Sequence, residues 1–341
     1  MVEASNKDQG TKKLTEVKTF PIPFALEAIK ENLSINTHNS RKPSSEELIK
    51  QAVQFHLKGN ISEAIKSYQQ CLNQGCNDLR VFSNYGIILK DNGKLEEAEI
   101  YLRKAIELNP NFADIHSNLG TILIDLDQPE EAELLLRKAI KLNPNFADAH
   151  SNLGTLLIDL GQLEEAELSL RKAIELNPNF AQAHYNLGTL LINLGKLEDA
   201  ELSTRKAIQL NPNFAEAHYN LGNILQDLGK LKDSELFLIK AIEHNPNLLE
   251  AHTSLGFTLI HQNRLDDAAY SFKRALNIQK DYNKAICGLG KVLMKYLLSN
   301  LKETGISKVT LFADAGVIKF YKNQGWNLEP KGSKCAFWYA N

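Results

Sequence analysis

Five histidines are the first residues in this 341-residue chain that suggest chemistry, because His116, His150, His184, His218 and His252 stand 34 residues apart. A row of imidazoles invites a metal reading. However, residues at equivalent places in stacked elements are separated by nearly a helix spacing, whereas the ligands of one ion each lie about 2 Å from it. The row therefore reads as packing, and no metal is expected. Two polar rows keep the same interval. Asn84, Asn118, Asn152, Asn186 and Asn220 form one; Asp91, Asp125, Asp159 and Asp227 form the other, interrupted by Asn193 and followed by His261. An amide side chain offers one acceptor and two donors, which matches a peptide unit whatever its side chain. The aspartates would attract a basic or hydroxyl-rich ligand, although a row of charge is usually only a solvated face.

The elements that carry these rows repeat as well. Gly86, Gly120, Gly154, Gly188, Gly222, Gly256 and Gly290 are each 34 residues apart. Twelve positions after the first six come Ala98, Ala132, Ala166, Ala200, Ser234 and Ala268, and Pro110, Pro144, Pro178, Pro212 and Pro246 close five of the units. Within residues 147–180, Leu153, Leu157 and Leu160 recur at helical spacing and Gly161 ends that helix. A second helix follows from about Leu163, with Ala166, Leu170, Ala173 and Ile174 inward, until Asn177 and Pro178 stop it. Gly154 and Ala166 are small, so the two backbones approach closely. One such hairpin cannot bury its apolar face alone, so neighbours must stack. On a helical wheel Asp148, Asn152, Thr155 and Asp159 share one stripe, which reads as the wall of a solvated groove.

This period and pattern resemble the tetratricopeptide-repeat (TPR) family, whose unit is two antiparallel helices. The resemblance covers residues 45–282, seven units of 34. The first is degenerate: Ala52 replaces the glycine and Cys76 the proline, while Ala64, Tyr68 and Cys71 keep the small and large positions. The asparagine row is similar to the ladder of superhelical TPR arrays such as that of the O-GlcNAc transferase family. There the amides hold the backbone of an extended peptide. The plainer alternative is that recent duplication copied these asparagines onto a wet face.

After Gly290 the pattern changes. Val309–Asp314 and Ala336–Tyr339 read as strands, and Val317–Lys322 as a helix ended by Gly325. Together with Gly288–Leu289–Gly290–Lys291 before a helix, the stretches LFAD, FYKNQGW and FWY resemble the C-terminal half of a GNAT-family N-acetyltransferase of the plastid and cyanobacterial type. The resemblance implies that Gly288, Gly290 and Lys291 would cradle the pyrophosphate of acetyl-CoA at a helix N-terminus, and that Tyr321 would protonate the leaving thiolate. Two departures weaken the implication. Ala285 stands where the family places Arg or Gln, and repeat sequence occupies the place of the strands that precede the loop.

Composition bounds the rest. With 41 acidic and 39 basic residues there is no broad basic field for nucleic acid or anionic lipid. Cys71, Cys76, Cys287 and Cys335 show no metal or disulfide spacing. The N-terminus is polar, without the apolar stretch of a signal peptide, and no run of about 18 apolar residues spans a membrane, so a cytoplasmic protein is expected. Residues 7–18 read as disordered, and the segment from Phe20 through Leu26, Ile29 and Leu33 as a cap or a docking peptide.

The sequence therefore describes an all-α solenoid of TPR helix hairpins with a small α/β C-terminal segment. Its parts are a tail and cap (1–44), seven TPR units (45–282) and a GNAT-like segment (283–341). The expected function is an adaptor that binds a protein or extended peptide, without nucleic acid, membrane or cofactor. The alternative is an N-acetyltransferase that uses acetyl-CoA and recruits substrate through the repeats.

Overall fold

The computed structural model describes residues 43–303 and three short strands at 309–311, 327–328 and 336–339, with side chains described over 43–296. The fold is an all-α array of TPR hairpins in two compact units, Met1–Leu190 and Leu191–Asn341. In the first unit lie α1 (Ser45–Leu57), α2 (Ile61–Asn73), α3 (Leu79–Asp91), α4 (Leu95–Leu108), α5 (Ala113–Asp125), α6 (Pro129–Leu142), α7 (Ala147–Asp159) and α8 (Leu163–Leu176). The division falls within α9 (Ala181–Asn193). The second unit holds α10 (Leu197–Leu210), α11 (Ala215–Asp227), α12 (Leu231–His244), α13 (Leu249–His261), α14 (Leu265–Ile278) and the longer α15 (Asn283–Glu303). Odd-numbered helices are the first helix of a repeat and even-numbered ones the second.

The helix ends follow from local chemistry. α7 stops at Gly161, whose φ of 73° is left-handed and favours glycine. At the equivalent place Asp127 and Asn263 adopt φ of 58° and 61° with a side chain in the way. At the other end of each repeat the asparagine before the proline folds back on the turn. Asn177 Oδ1 accepts the Asn179 N–H at 3.2 Å, and Asn109, Asn143, Asn211 and Asn245 do the same for the residue two further on. In α1, Ser44 and Glu47 form a reciprocal capping box.

Close approach of the paired helices needs the small residues. A methyl added at Gly154 would lie 2.7 Å from Leu170 Cγ, and one at Gly120 2.9 Å from Leu136 Cγ. Ala52, Ala64, Tyr68 and Cys71 of the first repeat are all fully buried, so its divergent residues fill the same core.

In the second unit α15 packs on α14 and α13 as a first helix does, around Leu259, Ile260, Phe272, Ala275, Ala285 and Val292. This corrects the expected glycine loop. Gly288 and Gly290 lie inside α15, which starts upstream at Asn283, and not before its N-terminus. Backbone N–H groups inside a helix bond within it and cannot face a pyrophosphate.

Further along, β1 (Val309–Leu311), β2 (Asn327–Leu328) and β3 (Ala336–Tyr339) form an antiparallel sheet in the order β1-β3-β2, with Val309 opposite Trp338 and Asn327 opposite Tyr339. β1 and β3 fall where strands were expected. The expected helix at 317–322, Tyr321, the segment at 7–18 and the cap through Leu26 lie outside the described residues.

Candidate interaction face

Within the first unit α1 touches α3, α3 touches α5 and α5 touches α7, while each of these also packs on the second helix between them. First helices thus stand nearer to one another than second helices do, and form the inner face of the stack. Asn84, Asn118, Asn152 and Asn186 lie on this face, one per first helix; Asn220 lies on α11 of the second unit.

The row is not the solvated stripe expected. Asn84, Asn152 and Asn186 are 0%, 5% and 4% exposed, and Asn118 and Asn220 are part-buried. Packing of first helix on first helix is the reason, because it takes the amides between the helices. Asn186 shows the arrangement in full. Its Nδ2 donates to Thr155 Oγ1 at 2.8 Å, and its Oδ1 accepts from Gln182 Nε2 at 3.0 Å. Thr155 in turn donates to the Ser151 carbonyl at 3.1 Å.

One hairpin back the same residues behave differently. Thr121 Oγ1 accepts from Lys90 Nζ at 3.0 Å and donates to the Asn118 carbonyl at 2.8 Å. The Asn152 Nδ2 is buried and meets no acceptor among the described residues. A buried donor left unpaired costs about 1–3 kcal/mol. Burial lowers the Lys90 pKa, with Asp125 and Asp91 opposing it.

The aspartates divide into two sets. Asp91, Asp125 and Asp159 end α3, α5 and α7, and Asp227 ends α11; all four are exposed. Partial loss of water raises the pKa of Asp91 and Asp159. The second set opens the helices: Asp114 and Asp148 sit in the first turns of α5 and α7, one turn before Asn118 and Asn152. Loss of water raises the pKa of both, and for Asp148 the nearby Asp114 charge adds to it. The sequence placed Asp148 on the stripe but did not single out this pair.

Each histidine of the row spends its Nε2 on the turn before its helix. His116, His150, His184, His218 and His252 bond the carbonyls of Pro110, Pro144, Pro178, Pro212 and Pro246 at 2.8–3.1 Å. The imidazole therefore clamps the turn as well as packing. Among the described residues no group of three or more His, Cys, Asp or Glu is placed to hold a metal ion. No described helix is long and apolar enough to cross a membrane.

Gly288 meets protein rather than open space. A methyl there would stand 2.3 Å from Phe272 Cζ and Cε1. Lys291 holds its ammonium 5.1 Å from the centre of the Phe257 ring.

Two features escaped sequence reading. Arg103 bonds Glu99 on its own helix and Glu131 of the next hairpin, and Arg137 likewise bonds Glu133 and Glu165. On the second helices, Ile100, Leu134 and Leu168 of the first unit are 54%, 69% and 70% exposed. Leu168 lies two residues from both Ala166 and Leu170, on the opposite side of a 100° wheel. That spacing was a signal that these leucines face outward.

Residues 67–286 match the family described as the Cilia and flagella-associated protein 70 C-terminal domain. Among solved structures, a tetratricopeptide repeat protein from Parabacteroides merdae superposes with a TM-score of 0.57 and 22% identity, over 73% of this chain and 98% of that one. The Cut9–Hcn1 hetero-tetramer of the APC/C gives 0.62 and 16%, over 73% and 52%. These likenesses concern the fold.

A short stretch matches acetyltransferases instead. It is 68% identical over 54 residues to an uncharacterized N-acetyltransferase ycf52-like protein of Prochlorococcus marinus, covering 16% of this chain and 30% of that relative. It is 46% identical over 54 residues to histone acetyltransferase TAP1 of Glycine max, covering 23% of it. The chain thus spans less than a third of the acetyltransferases it matches. The family match extends over more than half of the chain and coincides with the helical hairpins, so this protein belongs to the Cilia and flagella-associated protein 70 C-terminal domain family, a family of TPR domains.

Proposed function

We propose that the chain is a scaffold that binds a protein segment in extended form along the first helices of its repeats, residues 45–282 carrying that role. The observation behind this is the buried Asn152 donor without an acceptor, in a row of amides at one per hairpin. Stacked helices lie roughly 8–10 Å apart and an extended chain rises about 3.3 Å per residue, so each amide serves about every third ligand residue. The test is peptide selection by display against the full chain, followed by titration of the selected peptides into wild type and an Asn118→Ala, Asn152→Ala, Asn186→Ala variant. Affinity should fall at least about tenfold, since two or three hydrogen bonds of about 1 kcal/mol each are lost. Unchanged affinity in the variant would sink the proposal. Stability separates the roles: Asn186→Ala, which breaks two bonds, destabilises more than Asn152→Ala.

A second reading, acetyl transfer, draws on the 68% identity with the Prochlorococcus marinus protein. Against it stands the helical setting of Gly288 and Gly290. Calorimetry with acetyl-CoA decides: micromolar binding abolished by Tyr321→Phe favours the enzyme, and no heat of binding removes it.

A further inference from the structure

We infer that the part of the inner face made by α5 and α7 takes a basic segment in polyproline-II-type extension, with Lys or Arg three residues apart. This rests on the scaffold reading above and adds the chemistry of the ligand.

Four observations on neighbouring residues carry it. The Asn152 Nδ2 is buried and has no acceptor among the described residues, while the same atom of Asn186 has Thr155. The asparagine amide turns about its last bond at little cost, so a ligand carbonyl can take that donor. One turn before Asn152 stands Asp148, and one turn before Asn118 stands Asp114. No described Lys, Arg or His forms an ion pair with either carboxylate. Asp114 is exposed and Asp148 part-buried; partial desolvation raises the pKa of both, and the Asp114 charge adds to the shift of Asp148. A cation brought between ligand and face relieves both.

The boundaries of the footprint are set by what flanks this pair. At the equivalent place in α3 stands Arg80, already held by Asp78 and Glu46. In α9 it is the neutral Gln182, bonded to Asn186. Two cations are therefore called for, and no more.

Their spacing follows from the repeat. α5 and α7 touch, and packed helices stand roughly 8–10 Å apart. A β-strand turns successive side chains to opposite faces, so residues three apart point away from each other. Polyproline II has three residues per turn and rises about 3.1 Å per residue, so residues three apart lie on one side about 9 Å apart. Only the second geometry places two side chains on Asp114 and Asp148 while a carbonyl between them reaches Asn152.

The experiment uses capped, proline-rich octapeptides titrated into the full chain. One carries Lys at the third and sixth positions, one at the third and fifth, and one has Glu at the third and sixth. The first should bind most tightly, weaken as salt rises, and lose about tenfold in affinity on the Asp114→Asn, Asp148→Asn variant. Charge reversal should abolish binding. Equal affinity for all three peptides, no binding of the first, or no effect of the double variant overturns the inference, and the acids then serve only the helix N-termini, where negative charge is also favoured. That failure is separable from failure of the scaffold reading. Display-selected peptides that lack Lys and Arg yet need Asn118, Asn152 and Asn186 would refute the charge inference alone. Selected peptides indifferent to those asparagines would remove both.

Discussion

Replacing Gly288 by alanine tests whether this glycine belongs to a phosphate loop or to a packed helix. In the 34-residue register Gly288 occupies the place that Asn220 holds two repeats earlier, and Phe272 the place of Leu102, Leu136, Leu170 and Leu238. Phe272 is fully buried, its ring lying between Gly256 and Gly288 and edge-on to Phe257 at 5.1 Å. A methyl at Gly288 would sit 2.3 Å from two ring carbons and 2.7 Å from a third, against an ordinary carbon–carbon contact of about 3.5–4.0 Å.

Two effects compete. Gly→Ala inside a helix gains about 1 kcal/mol of helix propensity. Forcing a methyl into a filled core costs about 1–3 kcal/mol, and more than about an ångström of overlap with a fully buried ring lies at the upper end. The expected net is a destabilisation of about 2 kcal/mol. Phe272→Leu alone opens a cavity and costs about 1–2 kcal/mol. In the double variant the methyl fills part of that cavity, so the sum of the single effects should exceed the double by about 1–2 kcal/mol. Urea unfolding of the full chain, followed by helical circular dichroism, measures all four proteins. A neutral or stabilising Gly288→Ala, or strict additivity with Phe272→Leu, would refute the packing argument and return Gly288 to the loop reading.

Two further outcomes are expected from the second unit. Thr204 takes the place of the buried leucine in α10, and its hydroxyl is fully buried with no partner among the described residues; Thr204→Val should therefore raise stability by about 1 kcal/mol in the same unfolding assay. Burial lowers the pKa of His218, with the Pro212 carbonyl opposing and His244 and Lys240 adding to the shift. The unfolded chain then binds the proton more readily, so this contribution is complete above about pH 6.5 and is lost as pH falls. Wild type should lose more stability than His218→Phe between neutral pH and pH 5, and equal losses would refute this.

The fold was largely legible because one period runs through sizes, helix stops and polar rows together. The glycine–leucine contacts, the left-handed Gly161 and the Asn–Pro turns all stand where that period puts them. The face was legible only as a set of positions. Asn152 and Asn186 are the same residue at the same register, yet one amide donor is satisfied and the other is not. The difference arises a hairpin away. Lys90, where the next three repeats have Ile124, Ile158 and Ile192, already engages the Thr121 hydroxyl that is the counterpart of Thr155. Burial of the asparagines was also invisible to a single-helix wheel, which cannot show a neighbouring first helix closing over the stripe.

Gly288 raises the same issue at the junction of the two sequence patterns. Gly288–Leu289–Gly290–Lys291 matches the acetyltransferase motif in residue type, and Gly290 also falls on the 34-residue period. A motif of glycines specifies a loop only if the chain around it leaves the backbone N–H groups free. Here Ala285 is fully buried at the place held by Ala217 and Ala251 in earlier repeats, and α15 begins at the first position of the register. The burial that α13 and α14 offer to an apolar helix therefore decides the conformation of this stretch. The same four residues that would cradle an anion at the start of a helix instead close the stack, with Gly288 making room for Phe272 and Lys291 lying over Phe257.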